Sequence, residues 1–73
     1  MDTSTLNTAL KLHLAEMRTR LDEAASIARA AVACADAGNV ERGIEIALDV
    51  EQLTYEVNTL LNAASLLNRI GRS

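Results

Sequence analysis

The stretch CADAGNVERG, residues 34–43, decides the fold of this chain. It holds two of the three glycines in a sequence without proline. Gly38 can adopt the left-handed conformation that closes a helix, and Asn39 can cap the next one. Glu41 then sits in the new first turn, where a carboxylate is favoured by the helix dipole. The stretch therefore predicts a tight corner around Ala37–Asn39, with Gly43 inside the second helix.

On both sides of that corner the apolar residues keep a helical spacing. Leu10, Leu14, Met17, Leu21, Ala24, Ala28, Ala31 and Ala35 follow one another in alternating steps of four and three. Ile46, Val50, Leu53, Val57, Leu60, Ala64 and Leu67 do the same after the corner. A spacing that averages 3.5 residues describes a lengthwise stripe on each helix, suited to packing against a neighbour. Asp2, Thr3, Ser4 and Thr5 offer N-caps for the first helix, and Gly71 offers a closing residue for the second, with Arg69 and Arg72 near its negative end. The expected architecture is all-α, an antiparallel two-helix hairpin over about 4–37 and 39–70, within a single domain spanning 1–73. So short a turn places the helices side by side, Ala35 opposite Gly43, Leu21 opposite Val57 and Leu14 opposite Ala64.

The apolar residues outnumber what one hairpin can cover. Ile44, Leu48 and Tyr55 lie on a different face of the second helix from its stripe, and Leu12, Leu66 and Ile70 add apolar surface near the open end. Contiguous patches of this kind mark interfaces. A chain of 73 residues also lies where core burial and chain entropy nearly cancel, below roughly 70–80 residues, so a partner is expected. Two hairpins packed together make a four-helix bundle, and a homodimer is the expected assembly.

Composition supports helices and narrows the function. The chain is 49 % hydrophobic with a net charge of −3, which argues against disorder, and Tyr55 is its one aromatic residue. Cys34 is the single cysteine, so neither an intrachain disulfide nor a cysteine-based zinc framework is available. The opening MDTSTLNTAL lacks the pattern of a secretory leader, and no apolar run approaches the roughly 18 residues that cross a bilayer. A cytoplasmic protein with no membrane association is expected.

Chemical motifs are sparse. His13 and Glu16 share a helical face, but one histidine without inward carboxylates is a weak metal site, so no metal or other cofactor is expected. Cys34 lies near a helix C-terminus beside Asp36, where a thiol stays protonated, and reads as a packing residue. No phosphate-binding loop or nucleophile–base set is present, so no catalytic residue is assigned and an enzyme is not expected. Glu41, Glu45, Asp49, Glu51 and Glu56 face only Arg42 among the charges of residues 41–56, an acidic surface that repels a nucleic-acid backbone. Lys11, Arg18, Arg20 and Arg29 form the candidate basic patch, interrupted by acidic residues and lacking stacking aromatics.

The layout of two helices and a very short turn over the whole hairpin resembles the Rop-type RNA-binding regulators, a likeness of architecture that implies a dimeric bundle. The segment GNVERGIEIALDVEQLTYEVNTLL is similar to short uncharacterised helical-hairpin proteins of Gram-negative bacteria, which imply no particular activity. Small acidic hairpins that chaperone type III secretion subunits share the pattern too. The leading expectation is a non-enzymatic, homodimeric protein-interaction module or small regulator, with Ile44, Leu48, Tyr55, Leu12, Leu66 and Ile70 as candidate partner or dimer contacts. A nucleic-acid-associated regulator using the four basic residues and a small secretion-type chaperone are the alternatives.

Overall fold

Asp2 starts the first helix by accepting the backbone N–H groups of Ser4 at 2.7 Å and Thr5 at 3.4 Å, and it also accepts the Thr5 hydroxyl at 2.7 Å. These bonds satisfy donors that the first turn leaves without intrahelical partners. They hold the Asp2 carboxyl below its ordinary pKa, the Thr5 hydroxyl contributing most. In the computed structural model, which describes residues 2–72, this helix (α1) runs Thr3–Asp36 without interruption.

The corner forms as its residues require. The Gly38 N–H donates to Ala35 and the Asn39 N–H to Cys34, the paired bonds of a Schellman closure, with Gly38 at φ 96°. A side chain is strained at that φ, and glycine is not. Asn39 then accepts the Arg42 N–H at 3.0 Å through its side chain and opens α2, Val40–Ala47. A further helix, α3, runs Val50–Arg72 and completes the second arm of an antiparallel hairpin 55 Å long and 15 × 11 Å in section.

The second arm is bent, where the sequence predicts one continuous helix. At Leu48–Asp49 the Asp49 N–H donates to Ile46 and the Glu51 N–H to Leu48, a tighter three-residue spacing. The bend falls where the interface passes from small residues, Ala31, Ala35 and Gly43, to the larger Leu53, Val57 and Leu60. No glycine or proline announces it.

The predicted stripe on the second arm is the observed one. Leu53 and Ala64 are buried, and Ile46, Val50, Val57, Leu60 and Leu67 are half-buried. On α1 the stripe is only half right. Leu10, Met17, Ala24 and Ala31 face the second arm, but Leu14 and Leu21 are 58 % and 49 % exposed and Ala28 is exposed. Their places are taken by Leu6, His13, Arg20, Ile27 and Cys34. Two stripes offset by one residue fit the same alternation, and the polar ends of His13 and Arg20 obscure the true one. Both are satisfied in place: His13 Nδ1 donates to the Ala9 carbonyl at 2.8 Å, and Arg20 lays its stem on the seam while its guanidinium reaches carboxylates at the edge. The expected Leu21–Val57 and Leu14–Ala64 pairs are therefore absent, whereas Ala35 does meet Gly43.

Two glycines admit close packing. A Cβ on Gly43 would lie 2.8 Å from the Ala31 carbonyl oxygen and 3.6 Å from the Ala35 Cβ. A Cβ on Gly71 would collide with the side chain of Leu6, so Leu6 is buried because Gly71 has none. Gly71 is helical and does not terminate the arm as predicted; Gly38 is the only described glycine with positive φ. Among the described residues the buried hydrophobics are Leu6, Ala31, Leu53 and Ala64, and no side chain is fully enclosed.

Candidate interaction surfaces

Because the arms are antiparallel, residues one turn beyond matching seam positions share a long edge of the pair. Gly43 touches both Ala31 and Ala35, which places the position one turn after Ala31 on the same side as Gly43. Leu14, Leu21 and Ala28 hold the equivalent position on α1, and Ala47, Thr54 and Leu61 hold it on the second arm. None of these residues is charged. Leu14, Leu21 and Leu61 are exposed there, and the next positions outward mix apolar and charged side chains, Val32 with Lys11 and Arg18 on α1 and Ile44 with Glu51 on the second arm.

The opposite long edge is built from charges. Arg20, its side chain 29 % exposed, pairs with Glu16 one turn earlier and with Glu56 of α3, where Nε donates to Oε1 at 3.1 Å. Gln52 Nε2 donates to the other Glu56 oxygen at 3.1 Å. The Arg20 pKa is raised, chiefly by the hydrogen bond to Glu16, against the opposing effect of burial. The Glu56 carboxyl is lowered, first by Gln52 and then by Arg20. Glu23 and Asp49 lie exposed along the same edge. A shallow depression beside the Arg20–Glu56 pair is lined by Tyr55, Thr59 and Leu60.

The six candidate contacts do not form one patch. Ile44 belongs to the rim of the uncharged edge, Leu48 and Tyr55 lie on the outer side of the second arm with Tyr55 beside the depression at Arg20–Glu56, and Leu12, Leu66 and Ile70 group toward the open end on the charged side. All six are exposed, Tyr55 by 67 %. Leu14 and Leu21 are missing from that set because the stripe assignment placed them inside. The absence of charge from one edge is the signal that could have found them.

The candidate basic residues separate as well. Lys11 and Arg18 stand exposed on the rim that Val32 shares and Arg29 farther out on α1, with Arg18 3.8 Å from Asp22. Arg20 lies on the charged edge, held by two glutamates. Among the described residues no three of His, Cys, Asp and Glu gather as a metal would need, and Cys34 is a free, half-buried thiol in the seam. No described helix is long and apolar enough to cross a membrane.

Comparison with protein-family models, curated proteins and solved structures finds no match to this chain, so a functional reading rests on its geometry.

Proposed function

We propose that this chain is a non-enzymatic protein-interaction module that works as a homodimer, two hairpins forming a four-helix bundle that presents its remaining apolar residues to a protein partner. The observation that carries this reading is the imbalance of apolar burial. Among the described residues four hydrophobic ones are buried, and eleven large ones, from Leu12 to Ile70, remain exposed. A hairpin with so little core sits near zero net stability on its own, and burial against a second surface supplies the missing apolar contact. Leu48 and Tyr55, on the side of the second arm away from α1, are the natural contacts for a further protein.

Dimerisation is tested by light scattering coupled to size exclusion from about 1 to 200 µM, a range that brackets typical micromolar association. A mass of two chains at the upper end, rising together with helicity, supports the reading. A mass of one chain throughout, with full helicity, overturns it. Function as an interaction module is tested by pull-down from a lysate of the source cells with the native chain and with a Leu48→Ser/Tyr55→Ser variant. A protein retained by the first and lost by the second supports it, and equal retention by both removes Leu48 and Tyr55 as contacts.

A further inference from the structure

The geometry points to the uncharged long edge, centred on Leu21, as the surface on which a second copy of this chain docks. The inference rests on the homodimer reading and adds which face is used and in what arrangement. Its first support is the segregation of charge. Charged residues are depleted from the centres of interfaces and kept at the rims. Leu14, Leu21, Ala28, Ala47, Thr54 and Leu61 satisfy that requirement, whereas the other edge carries Glu16, Glu23, Asp49 and Glu56 with Arg20 between them.

The second support is size. The face spanning both arms measures 55 by 15 Å, so contact along its whole length is what reaches the roughly 800 Å² that each partner of a stable complex buries. The third is self-complementarity, which a two-fold interface demands because each patch must fit itself. Leu21 lies near the middle of α1. A second copy laid antiparallel across it sets Leu21 on Leu21, and each copy's Leu14 on the other's Ala28, large residue against small. The corner of one hairpin then lies beside the open end of the other, and the Arg20–Glu56 pairs face outward on both sides.

Two measurements test the face apart from dimerisation itself. Leu21→Glu places two carboxylates at the centre of the interface and is expected to weaken self-association at least 100-fold by light scattering. Tyr55→Glu, on the side turned away, is expected to change it less than threefold. A dimer that survives Leu21→Glu and is lost in Tyr55→Glu overturns the face while leaving the homodimer standing; a parent chain monomeric at every concentration overturns both. Should Leu21→Glu lose its helicity, disulfide trapping decides. In a Cys34→Ser background, Leu21→Cys is expected to form a covalent dimer under mild oxidation at least tenfold faster than Thr19→Cys, and equal rates overturn the assignment.

Discussion

Gly43→Ala tests the close approach of the two arms beside the corner, because two opposing effects of known size meet there. In an open helix, alanine in place of glycine gains about 1 kcal/mol from propensity. Here the new Cβ would lie 2.8 Å from the Ala31 carbonyl oxygen, a backbone atom that moves only if α1 and α2 separate. Overpacking of this kind costs about 1–3 kcal/mol. The net expectation is a loss of about 1 kcal/mol, which in a domain of this size lowers Tm by about 4–8 °C. Thermal melts followed by circular dichroism at 222 nm, at one fixed protein concentration, measure it. Gly71→Ala provides the contrast, because its obstacle is the side chain of Leu6 and not backbone. Trimming that side chain with Leu6→Ala should make the Gly71→Ala change less harmful than it is in the parent. Nothing comparable can relieve Gly43→Ala. A rise in Tm for Gly43→Ala, of the size that propensity alone gives, would refute the tight packing of the arms beside the corner.

Leu53 is 8 % exposed, and Leu53→Ala should cost about 2–5 kcal/mol by urea unfolding, enough to leave most of the chain unfolded. Asn39→Ala removes the acceptor for the Arg42 N–H and should cost about 1 kcal/mol in the same assay, and Asn39→Asp should recover most of it. Gly38→Ala forces a side chain into φ 96° and should destabilise by about 1–2 kcal/mol, with helicity little changed at low temperature. The lowered carboxyls of Asp2 and Glu56 contribute stability that is present above their ordinary values of 3.8 and 4.5 and is lost as pH falls through the folded values. Stability should therefore fall on acidification below about pH 4.5, and Glu56→Gln should make that fall shallower.

The parts of the fold legible in the sequence are those where side-chain chemistry leaves one solution. Gly38 followed by Asn39 can close one helix and open another, and the structure uses both capacities. The second arm was readable because Val50, Leu53 and Val57 are large and stand between polar neighbours, and Leu60 and Leu67 continue their spacing. On α1, alanines and leucines occupy two adjacent stripes, and the apolar count favours the wrong member of the pair. The choice depends on what Arg20 and His13 can reach, Glu56 across the seam and the Ala9 carbonyl below, and neither partner is visible until the arms are laid together. The bend at Leu48–Asp49 belongs to the same class, since no local breaker residue marks it. Likewise, the uncharged edge could be recognised only after Leu14 and Leu21 were known to face outward.

Asn39 serves as the last acceptor-seeking residue of one rod and the first donor-holding residue of the other, so the hinge has no slack. Adding one residue inside the second rod just after Asn39 would turn everything beyond it by about a hundred degrees about the rod's axis. Gly43 and Leu53 would swing outward, and Leu48 and Tyr55 would approach the seam. The joint thus acts as an angular key: a change in chain length here rewrites which residues meet, although every helical segment keeps its own sequence.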